Sequence, residues 1–159
     1  MTTNRDRYTP GAASGASIHK EGEKWTLVVT RDLRHPPAKV WKALTEPEHL
    51  REWAPFDSID EPNVKRSVAP KALEYTWGGK DLRWELEPLG EDGTRLTLWH
   101  NIDRNYISMG AAGWHICFDV LEHLLAGDPI GRIVGQEAMK FEGWQRLHAE
   151  YKTLFGATP

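Results

Sequence analysis

The sequence predicts an α+β domain, and three observations carry the prediction. Residues 72 to 101 contain three short runs in which apolar and polar side chains alternate, separated by turns. Residues 108 to 155 contain two stretches whose apolar positions recur every three to four residues. The two patterns occupy separate blocks of the chain, which distinguishes α+β from α/β architecture. A length of 159 residues suits one domain with one core.

Taken in order, residues 1 to about 22 are rich in Gly, Ala, Ser and Thr, show no periodicity, and read as a flexible N-terminal tail. The domain proper is then 23–157. Trp25 to Leu33 (WTLVVTRDL) alternates, with Leu27, Val29, Arg31 and Leu33 on one face. Pro36 and Pro37 stop that strand and suit a helix's first turn, where a missing N–H costs nothing. Val40, Trp41 and Leu44 then recur at helical spacing, and Thr45-Glu46-Pro47-Glu48 has the spacing of a capping box opening a second short helix with Leu50 and Trp53. Residues 57 to 70 are polar, with weak strand character around Val64 to Val68.

The strand pattern then strengthens. Ala72 to Trp77 is followed by a turn at residues 78–81, by Leu82 to Pro88 with Leu82, Trp84 and Leu86 on one face, and by Thr94 to Asn101 with Leu96, Leu98 and His100 on one side. Gly90-Glu91-Asp92-Gly93 closes the hairpin between the last two. Ser108 to Ala126 predicts a long helix striped by Trp114, Cys117, Phe118, Leu121, Leu124 and Leu125, ended by Gly127 and Pro129. Glu137 to Phe155 predicts a terminal helix with apolar positions at Phe141, Trp144, Leu147, Tyr151 and Leu154, spaced three, three, four and three.

Composition narrows the function classes. With 40% hydrophobic and 27% charged residues the chain is ordinary for a globular protein. The net charge of −3 and pI of about 6.2, with no long basic run, give nucleic-acid binding no electrostatic support. One cysteine, Cys117, rules out an intrachain disulfide and a Cys-rich zinc site, and a reducing cytoplasm is the compartment expected. No apolar run reaches the ~20 residues that span a bilayer, so membrane insertion is not expected. The eight tryptophans predict a core of large rings, some of them lining a ligand cavity.

Several motifs resemble the SRPBCC (START-like) superfamily, in the branch named for the C-terminal domain of the heat-shock protein 90 ATPase activator. Arg31 through Pro47 (RDLRHPPAKVWKALTEP) looks like that family's entry from strand to helix. Leu86-Glu87-Pro88 through Gly93-Thr94-Arg95-Leu96-Thr97-Leu98 is similar to its late hairpin, and Gly113-Trp114 through Leu125-Ala126-Gly127 to its long helix. Together these cover about Trp25 to Phe155. The resemblance implies a helix-grip fold: a curved antiparallel sheet wrapped around a long C-terminal helix, with two short helices after the first strand and an extra terminal helix. It further implies an apolar space between sheet and helix. The family places about two strands between Trp53 and Leu73, whereas 57–70 has room for one. About five or six strands are therefore expected, with a sheet edge left uncovered where a second copy can pair into a homodimer.

The candidate cavity residues are Trp41, Trp53, Trp77, Trp84, Leu98, His100, Trp114, Phe118 and Leu121, with Arg31 as a charged group that either orients a ligand or pairs with Glu85 or Glu87. His100 is read as a core or rim histidine bonded to backbone, with the alternative of a polar anchor for a ligand. No catalytic residue and no cofactor is assigned. His115, Asp119 and His123 recur every four residues, but that span is too long for all three to meet one ion, so no metal site is assigned. Cys117 reads as a buried thiol. The first functional expectation is a non-catalytic module for a small apolar or aromatic molecule. The second is a protein-interaction module related to chaperone ATPase activators. The third is a cyclase- or hydrolase-like enzyme using the same space, with His100, Arg31, Tyr75 and Asn101 as its polar groups.

Overall fold

The computed structural model describes residues 10–155, except 12, 14, 60–62, 78, 135–137, 139 and 141. Six antiparallel strands form one curved sheet: β1 (Ala16–Glu21), β2 (Lys24–Leu33), β3 (Val64–Val68), β4 (Ala72–Trp77), β5 (Lys80–Leu89) and β6 (Gly93–Asn101). The spatial order is β1-β2-β6-β5-β4-β3. The described helices are α1 (Pro37–Thr45), α2 (Pro47–Trp53), the long α3 (Ile107–Leu125) and α4 (Glu142–Leu154). The predicted architecture of segregated sheet and helices is the one observed.

Register puts the apolar sets of neighbouring strands on one face. Leu98 lies opposite both Val29 and Trp84, Leu96 opposite Arg31 and Leu86, and His100 opposite Leu27 and Leu82. Because side chains alternate along a strand, this fixes a single inner face. The long helix α3 covers it, burying Trp114, Ile116, Cys117, Phe118, Val120 and Leu121, and α4 packs along α3 through Trp144, Leu147 and Tyr151.

Several expectations are corrected. The sixth strand, β1, lies inside the segment read as a tail. Only Ala16 and Ile18 of β1 are partly buried, so it has almost no apolar period and is held by backbone pairing with β2. The capping box is not formed. The Thr45 hydroxyl donates to the Trp41 carbonyl at 2.9 Å, while Glu46, without a side-chain cap, precedes Pro47 at the start of α2. Ser/Thr hydroxyls compete with caps in this way by bonding one turn back. The start predicted for the terminal helix at Glu137, its Phe141 and the turn residue Gly78 fall outside the described residues.

The outermost strands are β1 and β3. Five residues long and bulged between Val64 and Arg66, β3 carries Lys65 and Arg66. Short length, a bulge and charge are the features that blunt an edge against pairing with another chain.

Candidate functional site

The apolar interior is organised by three tryptophans whose indole N–H groups each find an acceptor. Trp53 donates to the Ala43 carbonyl at 2.9 Å, Trp84 to the Tyr75 hydroxyl at 2.9 Å, and Trp114 to Nδ1 of His100 at 3.0 Å. A buried donor left unpaired costs about 1–3 kcal/mol, so these bonds fix ring orientation as well as satisfying it. The rings meet mostly edge to face: Trp53 with Trp84 at 6.0 Å and 83°, and Trp84 with Trp114 at 5.5 Å and 82°. Aromatic quadrupoles favour that geometry.

Trp53 and Trp84 belong wholly to the core, at 0% and 1% exposure, and Leu98, Phe118 and Leu121 join them there. Trp41, on α1, is only half-buried against the core. None of these six is among the residues lining the cavity described next. The inner face is simply wide enough that its middle is filled by large side chains interlocking with α3.

Space remains at one end of the sheet, between the ends of β4 and β6 and the N-terminal half of α3. There a cavity of about 270 Å³ is lined by Trp77, His100 and Trp114, the expected residues that do reach it. Its other walls come from Pro55, Ile102, Tyr106, Met109, Gly110, Gly113 and Cys117, from Ile133, Val134 and Ala138 after the long helix, and from Trp144 of α4. Trp144 carried a visible signal in the helical stripe, but its partner across the gap did not. Ile133 and Val134 lie in a segment without regular structure, where no periodicity marks a side chain as inward.

His100 is the polar group deep in this wall, buried at 6% exposure. Desolvation, aided by the positive charge of Lys80, lowers its pKa to about 4, so the imidazole is neutral near pH 7. It is bonded to an indole, not to backbone as expected. Its ring also lies 5.8 Å from that of Trp77, tilted by 38°.

The other polar candidates are spent elsewhere. Arg31 lies on the inner face, but Glu85 and Glu87 alternate to the outer one, so the expected ion pair cannot form. Instead, Arg31 Nη1 donates to Asp119 Oδ1 and Glu122 Oε1 of α3, both at 2.8 Å. This clamps β2 to α3 and leaves the guanidinium out of the cavity wall. The Tyr75 hydroxyl accepts from Trp84 inside the core, where burial holds its pKa far above the usual phenol value. Asn101 donates to the Thr26 hydroxyl at 2.8 Å.

His115, Asp119 and His123 do not all meet: Nε2 of His115 lies 3.6 Å from Asp119 Oδ2 and its Nδ1 2.6 Å from the Tyr151 hydroxyl, the other oxygen of Asp119 accepts from Arg31, and His123 approaches Asp128 at 3.5 Å. Among the described residues no three His, Cys, Asp or Glu side chains come together as metal ligands. Cys117 is buried, and desolvation pushes its thiol up to about 12, which keeps it protonated and a poor nucleophile. No helix among the described residues is long and apolar enough to cross a membrane.

No protein-family model matches the chain, and no curated protein matches it. Solved structures do. The chain is similar to a conserved protein of unknown function from Enterococcus faecalis, with a TM-score of 0.72, 17% identity, and 91% of this chain and 92% of that one covered. It is similar to CalU16 from Micromonospora echinospora in solution, with a TM-score of 0.67, 23% identity and coverage of 91% and 96%. A third, DynU16 from the dynemicin biosynthetic locus, matches at a TM-score of 0.56 and 20% identity, over 65% of this chain and 48% of that one. At these identities the likeness is one of fold alone.

Proposed function

We propose that the chain is a non-catalytic binding module for a small apolar or aromatic molecule, built as a helix-grip domain of the SRPBCC (START-like) kind. The observation that carries this reading is the cavity of about 270 Å³ walled by Trp77, Trp114 and Trp144. Such a wall binds by apolar burial, worth roughly 25 cal/mol for each Å² removed from water. The volume lies near the lower end of ligand sites, about 300–1,000 Å³, which favours a ligand of one or two rings.

The alternatives draw less support. An enzyme needs convergent polar groups at the reacting atoms, and of His100, Arg31, Tyr75 and Asn101 only His100 reaches the cavity. A chaperone-binding module predicts a continuous exposed apolar patch. Among the described residues the exposed large apolar side chains are instead on separate elements: Val68 on β3, Tyr106 before α3 and Leu154 at the end of α4.

Indole fluorescence tests the reading. Titration with a panel of aromatics, flavonoids and fatty acids is expected to quench or shift emission, because three of the eight tryptophans border the site. Gly113→Leu is the matching control. A Cβ at Gly113 meets no other heavy atom within 4 Å, and the residue lines the cavity, so the larger side chain occupies ligand space. Affinity is expected to fall at least ~10-fold, the equivalent of about 1.4 kcal/mol. A flat response of the wild-type protein to every compound overturns the reading.

A further inference from the structure

Among its described residues the cavity wall carries no formal charge, and His100 gives it a directed hydrogen-bond donor; together these specify a ligand class. We propose that the ligand is an uncharged aromatic molecule bearing a carbonyl-type oxygen, which accepts the Nε2–H of His100. The proposal rests on the ligand-binding reading above and deepens it.

The chain of argument begins with an indole. Trp114 Nε1 can only donate, so the nitrogen it meets, Nδ1 of His100 at 3.0 Å, must present a lone pair. A neutral imidazole with a lone pair on Nδ1 carries its proton on Nε2. Trp114 therefore sets the tautomer. Leu27 and Leu82, directly opposite His100 on the two neighbouring strands, confine the ring from both sides. Among the described residues Nε2 meets no acceptor, and yet no buried polar side-chain atom there lacks a partner. The Nε2–H is therefore open to the cavity, of which His100 forms part of the wall.

The charge requirement follows from the rest of the lining. Among the described residues the cavity lining has no Asp, Glu, Lys or Arg. A charged ligand would surrender its hydration with no countercharge to replace it, and the neutral imidazole supplies none near pH 7. A ligand whose polar atoms only donate would meet donor against donor at Nε2–H. A ring with a carbonyl oxygen satisfies both conditions, and Trp77 and Trp114, 6.1 Å apart and at 73°, offer it an aromatic face and edge.

Three compounds with one two-ring skeleton test this: 1-tetralone with an acceptor, tetralin with none, and 1-aminotetralin as its ammonium ion. Affinities are read at pH 7 by indole fluorescence, with nitrogen-15 histidine spectra recorded in parallel. The expected result is a proton on Nε2 in the free protein, a shift of that nitrogen with 1-tetralone but not with tetralin, and no measurable binding of the ammonium ion. In His100→Phe the ratio of tetralone to tetralin affinity is expected to fall about tenfold, the size of one hydrogen bond. Should that variant fail to fold, the nitrogen-15 shifts and the wild-type comparison decide. If tetralin and tetralone both bind and leave Nε2 unmoved, or the proton sits on Nδ1, or the ammonium ion binds best, the ligand class is wrong while the binding module stands. If none of the three binds and the wider panel is also silent, the binding reading falls and takes this proposal with it.

Discussion

Two glycines of α3, one turn apart, face different demands. A Cβ at Gly110 would come within 2.8 Å of Ile102 Cδ1 and 3.5 Å of Leu27 Cδ2, so this glycine lets the helix approach the sheet. Gly113 has open space where a Cβ would be, and packing gives no reason for it. Glycine inside a helix costs about 0.5–1 kcal/mol relative to alanine. Gly113→Ala is accordingly expected to raise stability by about that amount in urea unfolding, and Gly110→Ala to gain less because Ile102 must move. Stability is thus given up at a position that borders the cavity. At this scale the sequence was only partly legible. The alternation of Leu96, Leu98 and His100 placed the imidazole on the inner face, but neither its indole partner nor its tautomer follows from a strand pattern. Both depend on where Trp114 of another element comes to rest.

Among elements, the joint between β2 and α3 is electrostatic at one point and apolar elsewhere. Arg31 is 20% exposed and its partners Asp119 and Glu122 are 17% and 45% exposed, so the cluster lies between a surface pair and a buried one. Arg31 also sits over the Phe118 ring at 5.8 Å. Replacing it with methionine keeps much of the stem's packing but leaves two carboxylates facing each other. A loss of roughly 2–4 kcal/mol is expected, between the values typical of exposed and buried pairs. Chemical denaturation of Arg31→Met measures it, and Asp119→Asn introduced alongside should recover part of the loss. The elements themselves were readable where burial is one-sided. The strands β2, β5 and β6 and the helices α1 and α2 showed an apolar period because each turns one face to the core, and α3 kept its stripe although the sheet and α4 bury it from both sides. β1 did not, since an edge strand with little buried surface needs no apolar alternation. Nor did the cavity wall at Ile133 and Val134, which belongs to no periodic element.

For the molecule as a whole, buried histidines tie stability to pH. Burial lowers the pKa of His100 to about 4 and that of His115 as well, chiefly by desolvation. In the unfolded chain both return to the ordinary value near 6.5. Between the two values the unfolded state binds more protons, so stability is complete above about pH 6.5 and declines as pH falls through the window toward 4. For His100 alone the difference is on the order of 3 kcal/mol. Urea midpoints are expected to drop steadily from pH 7 to pH 4, and His100→Phe should flatten a large part of that slope. An unchanged slope would mean that the imidazole is not the group being titrated.

The residues ahead of β1 tie the start of the sheet to the final helix. The Gly15 carbonyl accepts from the Thr30 amide at 2.7 Å, the Ala13 amide donates to Glu150 at 2.9 Å, and Arg146 reaches the carbonyls of Pro10 and Gly11. Arg146 and Glu150 stand on the same helix as Trp144. The described residues between 10 and 15 are therefore a strap fastened across the helix that carries Trp144, and a shortened version that discards them is expected to unbuckle the helix that walls the chamber.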